Sequence, residues 1–173
     1  MQCWGGDSYG VSSGPNGLTN IKSIAAGGLE TCVIKADDSV QCWARNEYGQ
    51  VPSDLGSVKS IAIGNHTCAI KADDSAVCWG GYNKYGQNSI PSDLGSVKNI
   101  DVGSFHNCAI KTDDSVQCWG SDSQGRSSVP SGLGSVKSIA LGSSHTCAIK
   151  ADDSVQCWGN DQYGQIRVPA ELQ

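Results

Sequence analysis

Tryptophans at Trp4, Trp43, Trp79, Trp119 and Trp158 mark the chain at intervals of 39, 36, 40 and 39 residues. A period of that length, kept over nearly all of the 173 residues, restricts the fold to architectures that stack one supersecondary unit on the next. Aligned on it, the stretches beginning at His66, His106 and His145 read almost as one phrase, fullest in His145-Thr-Cys-Ala-Ile-Lys-Ala-Asp-Asp-Ser-Val-Gln-Cys-Trp-Gly159. A variable stretch follows, then Tyr-Gly-Gln (48–50, 85–87 and 163–165), then Val-Pro-Ser or a variant of it. The unit closes on Leu-Gly-Ser-Val-Lys-Ser-Ile-Ala-x-Gly, as in 55–64, with 94–103 and 133–142 close to it.

The local pattern within a unit is β. No apolar set recurs at helical spacing over three turns, whereas Val58 to Ile63, Thr67 to Lys71 and Ala76 to Trp79 read as short strands. Gly, Pro, Asn and Asp mark the breaks. Asp73-Asp74 falls in the tight turn between the second and third strands, and the same turn recurs at Asp37-Asp38, Asp113-Asp114 and Asp152-Asp153. Turn chemistry accounts for these acids, since an Asp side chain bonds nearby backbone amides and tolerates unusual dihedrals. Calcium is the weaker reading, because two adjacent carboxylates supply too few of the roughly six to eight oxygens that ion takes.

Eight of the nine cysteines follow the same hairpin, ten positions apart: Cys32 with Cys42, Cys68 with Cys78, Cys108 with Cys118, and Cys147 with Cys157. An even separation has one central residue, so a three- or five-residue loop sets each pair directly opposite on neighbouring antiparallel strands. The Cα atoms are then about 4.5 to 5.5 Å apart, within disulfide reach. Each bridge closes its own hairpin and contributes roughly 2 to 3 kcal/mol by constraining the unfolded chain, less any strain in the cross-strand geometry. Buried free thiols are the alternative. Zinc is disfavoured, because isolated pairs without Cys-x-x-Cys spacing do not converge four ligands on one point. Disulfides imply an extracellular or other oxidising compartment.

Strand alternation places Cys108, Ile110, Val116 and Cys118 on one face, and Ala109, Lys111, Gln117 and Trp119 on the other. A hairpin of this kind cannot hide both faces alone, and stacking neighbouring units face to face does so. About 40 residues, three strands and a fourth candidate in the Tyr-Gly-Gln region match the size of a propeller blade. The expected fold class is all-β, a β-propeller-type repeat array of about four and a half blades.

The phrase Gly-x-x-His-Thr-Cys-Ala-Ile-Lys, then Asp-Asp-Ser-Val-Gln-Cys-Trp-Gly, Tyr-Gly-Gln and Val-Pro, resembles the repeat of the regulator of chromosome condensation family, in its short, cysteine-bearing form. The resemblance implies a β-propeller, commonly of seven blades. That family's members include a nucleotide exchange factor, a plant photoreceptor and an inhibitor of β-lactamase. What the motif specifies is a fold, and no functional residue of those members carries over. Residues 1–173 read as a single repeat domain with units near 2–40, 41–76, 77–116 and 117–155 and a partial unit 156–173. Seven blades would need more. Cys3 is the odd cysteine, without a partner ten positions upstream, and no secretory apolar region precedes it. A piece of a longer secreted polypeptide is the favoured account, and an open set of blades completed by another chain is the other.

His66, His106 and His145 share one repeat position, where the first unit has Glu30. The resemblance implies a structural hydrogen-bonding role there rather than a metal ring. The tryptophans are expected to pack against the next blade rather than to form a stacking array. Asn65-His66-Thr67 is the single glycosylation triplet, making Asn65 a candidate acceptor.

Differences between units are the better guide to function. The connection after each Trp varies in length and residues, which is how a rigid scaffold presents a binding surface; solvated loops free to drift are the equal alternative. The candidate binding residues are Arg45, Tyr48, Tyr82, Lys84, Tyr85, Asp122, Gln124, Asp161 and Tyr163, with the tyrosines, including Tyr9, as amphipathic anchors.

A formal charge of −5 without a basic run excludes the footprint of a nucleic-acid binder. No apolar run approaches the roughly 18 to 20 residues a membrane helix needs, so no membrane insertion is expected. Neither a Ser-His-Asp arrangement nor a metal or cofactor motif stands out from the repeats. The expected function is a non-enzymatic extracellular protein-binding or assembly module whose partner is another protein chain. The alternatives are a carbohydrate-binding lectin or adhesin propeller and an accessory structural subunit of a larger complex.

Overall fold

The computed structural model describes residues 2–7, 9–28, 30–44 and 51–173. Among them lie four three-stranded antiparallel sheets, each in sequence order. Blade 1 is β1 (Ile21–Gly27), β2 (Glu30–Lys35) and β3 (Val40–Ala44); blade 2 is β4 (Val58–Ile63), β5 (Thr67–Lys71) and β6 (Ala76–Trp79). Blade 3 is β7 (Val97–Val102), β8 (His106–Lys111) and β9 (Val116–Gly120); blade 4 is β10 (Val136–Leu141), β11 (His145–Lys150) and β12 (Val155–Gly159). The strands read from the second unit coincide with β4, β5 and β6. No fourth strand forms at 85–87 or 163–165. There the Gln side chain occupies the backbone instead: Gln87 accepts from Tyr85 N and donates to Tyr82 O, which satisfies groups that a ladder would have used.

The Asp-Asp turn sets the hairpin register. Lys71 N donates to Ser75 O and Asp74 N to Lys71 O, leaving a three-residue loop whose last residue, Asp74, has φ 67°. This is a type I turn with a left-handed bulge residue. Asp73 caps it by accepting from Ser75 N and Oγ. That loop length pairs Cys68 with Cys78, and the same register pairs the other three cysteine couples, all joined by disulfides. Their Cα atoms are 4.0 to 4.1 Å apart, closer than the sequence-based range. The cysteines occupy non-hydrogen-bonded pairs, where antiparallel strands approach most closely.

The second Asp of the first three turns also joins blades. Its backbone carbonyl accepts from the valine that opens the next blade: Val58 N to Asp38 O, Val97 N to Asp74 O, Val136 N to Asp114 O, at 2.9 to 3.0 Å. The first strand of every blade has a bulge beside Lys22, Lys59, Lys98 or Lys137, and that lysine reaches the second Asp of its own blade. Exposed pairs of this kind add little stability, so their effect is to fix geometry.

The core lies between blades. Cys68, Ile70 and Cys78 pack with Ala109 and Trp119 of the following blade, and Cys108 and Ile110 pack with Ala148 and Trp158. Ile34 packs likewise with Ala69 and Trp79. The indoles of Trp79, Trp119 and Trp158 are thus covered by the preceding blade rather than the next, because the Trp face of a blade looks back along the array. Among the described residues nothing covers the Cys/Ile face of blade 4 in this way: Ile149 is 42% exposed, against 2% for Ile34 and Ile70 and 0% for Ile110.

Candidate functional site

The position at or just before the start of the middle strand bridges blade 1 to 2, 2 to 3 and 3 to 4. His66 Nε2 lies 2.6 Å from Asn107 Oδ1, and Asn107 Nδ2 donates to Gln87 O, so Oδ1 is the acceptor and His66 carries its proton on Nε2. Likewise His106 Nε2 lies 2.9 Å from Thr146 Oγ1, whose own proton goes to Arg126 O. Both rings therefore leave Nδ1 as a bare acceptor, buried and without a partner among the described residues. Each ring engages its own neighbour, not a shared point. Burial holds both imidazoles below their ordinary pKa, His106 down to about 4 with the Arg126 charge adding to the effect.

Blade 1 reverses the polarity of this joint. Glu30 stands at the histidine position, and Thr67 Oγ1 donates to Glu30 Oε2. Burial raises the Glu30 pKa, partly offset by that bond. Glu30 also lies near Cys32 and Cys42, with ligand atoms within 4.8 Å of one another, but both sulfurs are committed to a disulfide and offer a metal nothing.

Glu30 and His66 line a pocket of about 340 Å³ where the loops of blades 1, 2 and 3 meet on one rim, together with Asn65, Tyr82, Gln87 and Phe105. Tyr82 and Phe105 are exposed at its mouth, and exposed Tyr85 adjoins Phe105. Tyr85 meets Phe105 edge to face at 5.6 Å, and Lys84 Nζ sits 5.3 Å from the Tyr85 ring centre. Tyr82, Lys84 and Tyr85 of the candidate loops thus come together. Asp122 and Gln124, then Asp161 and Tyr163, occupy the equivalent loops of the next two blades, linked by Asn160 Nδ2 to Gln124 Oε1 at 2.6 Å. Arg45 and Tyr48 lie outside the described residues. Tyr9 and Tyr163 do not line this pocket.

Two pocket residues, Phe105 and Gln87, and the buried Arg126 of the next blade escape a reading of the sequence alone. Phe105 is the single phenylalanine of the chain and stands just before the repeat histidine, where other units have Leu29, Asn65 and Ser144; that variation was the available signal. Gln87 looks like a loop residue yet is buried, and its carbonyl accepts from both Trp119 Nε1 and Asn107 Nδ2. Arg126 replaces that Gln in blade 3, buried, with Nε donating to Ser123 O and Nη1 to Ser143 O. No carboxylate forms an ion pair with it among the described residues. Arg126→Gln is expected to stay within about 1 kcal/mol of the parent, since a buried cation without an ion pair stabilises little, whereas Arg126→Ala costs about 2 kcal/mol. Urea denaturation checks both, and NMR titration of Arg126→Gln shows His106 titrating at higher pH.

The sequence model for the regulator of chromosome condensation (RCC1) repeat matches residues 58–87, 97–126 and 136–165, just over half of the chain. The chain belongs to the RCC1 repeat family. Among solved RCC1-like structures, the entire ectodomain of the Physcomitrella patens receptor kinase CR4 is 26% identical with a TM-score of 0.79, over 98% of this chain and 49% of that one. The CRINKLY ectodomain of the Arabidopsis thaliana receptor kinase ACR4 is 28% identical with a TM-score of 0.65, over 80% and 49%. Yeast RCC1 (Prp20), solved bound to Kap60, is 17% identical with a TM-score of 0.73 over 88% and 46%, a likeness of fold alone. The RCC1 repeats here therefore span about half the length of the proteins they resemble. No curated protein matches the chain.

Proposed function

We propose that the chain is a non-enzymatic extracellular module whose protein partner docks on the rim that carries the variable loops. The observation that carries this reading is the aromatic pair Tyr82 and Phe105 lining a formed pocket, with Tyr85 packed on Phe105. Rigid amphipathic rings beside a cavity are the usual anchors of protein recognition. Disulfide-closed hairpins hold the loops in place at little ordering cost, and four disulfides belong to an oxidising compartment. The likeness to two receptor-kinase ectodomains supports the extracellular placement. Asp122, Gln124, Asp161 and Tyr163 extend the docking rim over blades 3 and 4, and exposed Asn65 at the pocket edge remains a candidate glycosylation site. Residues 1–173 act as one repeat domain in this reading.

An assembly role is the second reading: the Ile149 face of blade 4 is the half-interface that Ile34, Ile70 and Ile110 use internally, and a further blade, of the same polypeptide or of another chain, fits it.

A display library of secreted and cell-surface ectodomains tests rim docking. Binders selected on the intact chain are expected to lose roughly tenfold or more in affinity with Tyr82→Ala and Lys84→Ala together. Unchanged affinity overturns the reading, as does a glycan array that returns specific sugars while the ectodomain library returns nothing.

A further inference from the structure

One repeat position changes its chemistry along the chain. His66 and His106 are buried rings that hand their Nε2 protons to the next blade. Glu30, at the same position, is only partly buried and places a carboxylate in the wall of the rim pocket. An ionised carboxylate has about four lone-pair positions, and the Thr67 hydroxyl occupies one. Burial favours the neutral form of the lining imidazole, His66, so it brings no competing positive charge. Lys84 sits over the Tyr85 ring, and among the described residues no lysine or arginine lines the pocket.

The remaining walls favour the same kind of guest. Tyr82 and Phe105 present aromatic surfaces, whose negative faces attract cations and whose carbon skeletons accept an alkyl stem. A volume of about 340 Å³ holds an amino-acid side chain rather than a whole domain. A carboxylate between aromatic rings, in a chain of net charge −5, is built to compensate a cation.

We propose that this pocket receives the basic side chain, Lys or Arg, of a protein partner, with Glu30 as the counter-charge and Tyr82 and Phe105 as the walls. The proposal rests on rim docking and adds the chemistry of the residue that docks. The alkyl stem lies along the rings, and the ammonium or guanidinium donates to the Glu30 oxygen that Thr67 leaves open. Because the carboxylate is already partly desolvated, the guest cation restores the compensation that burial removed.

NMR titration tests this without an identified partner. The probes are Nα-acetyl-lysine amide and Nα-acetyl-arginine amide, compared with Nα-acetyl-norleucine amide, which has a similar stem and no charge. The basic amides are expected to shift the backbone signals of Asn65, His66, Tyr82 and Phe105 and to bind roughly fivefold tighter than norleucine amide. Glu30→Gln retains an acceptor for Thr67 and should bring them down to the norleucine level. Equal binding of charged and neutral probes overturns the proposal, as do shifts located elsewhere or no shift with either basic amide. The comparison of probes on the parent chain needs no variant, so a poorly folded Glu30→Gln does not block the test. A selected partner that binds through Tyr82 and Lys84 but inserts no basic residue removes the cation assignment and leaves rim docking standing.

Discussion

Gly64→Ala is expected to cost about 3 kcal/mol of unfolding free energy, although it adds a single methyl group. The backbone at Gly64 is not in the left-handed region, so any L-residue can adopt it, and the penalty is one of space. A Cβ there would lie 2.3 Å from Gly103 O and 2.7 Å from Val102 O. Both are backbone atoms of the next blade, fixed by their own sheet, and neither can rotate away as a side chain does. The same approach recurs along the array: a Cβ on Gly27 would meet Ile63 O at 2.3 Å, and one on Gly103 would meet Gly142 O at 2.7 Å. The first strands of successive blades come this close only because their ends carry no side chain. Gly56 is the contrasting case, with φ +70° and open space around it. Gly56→Ala pays only for the left-handed conformation, about 1 kcal/mol. Urea denaturation of the two variants separates the effects, and a Gly64→Ala no worse than Gly56→Ala would show that the blades can part without loss.

What was legible in the sequence divides along this line between strands and blades. Alternation and turn residues located β4, β5 and β6, and the ten-residue cysteine spacing led to the register that pairs Cys68 with Cys78. Both are local properties, settled within one hairpin. The face opposition of Cys108/Ile110 and Ala109/Trp119 also indicated that blades stack. Joints between blades were not legible, because they depend on where one rigid sheet sits against another. Nothing local indicates that Asp38 O will receive Val58 N, or that Glu30 will take the Thr67 hydroxyl. The rim pocket belongs to the same class. Its lining includes positions 30, 66, 82 and 105, on three blades, and comparison of the variable loops between units picked out only Tyr82 of these.

The histidine joints predict that acid separates blades before it opens hairpins. His106 titrates at about 4 in the folded chain against an ordinary 6.5, because its ring is buried and Arg126 is nearby. Between those values the unfolded chain binds a proton that the folded chain refuses. Stability from this group is complete above about pH 6.5 and is lost as pH falls toward 4, by about 3 kcal/mol in all. His66, also lowered by burial, acts in the same direction. Glu30 and Asp101 oppose the trend, since burial raises their pKa values and the folded state gains as they protonate. The turn acids belong to a lower window: Asp37, Asp73, Asp113 and Asp152 are held below their ordinary range by serine hydroxyls, Asp152 at about 2, and matter only under stronger acid. Urea midpoints measured from pH 7 to 4 should therefore fall steeply in the parent and less in His106→Gln, whose amide can still donate to Thr146 Oγ1. Equal slopes would remove His106 as the cause. Each protonated ring sits at a joint between neighbouring blades, whereas each disulfide lies within one hairpin. The acid form should accordingly keep its strand pairs while the indoles of Trp119 and Trp158 become exposed, which tryptophan fluorescence reads directly against an unchanged far-ultraviolet dichroism.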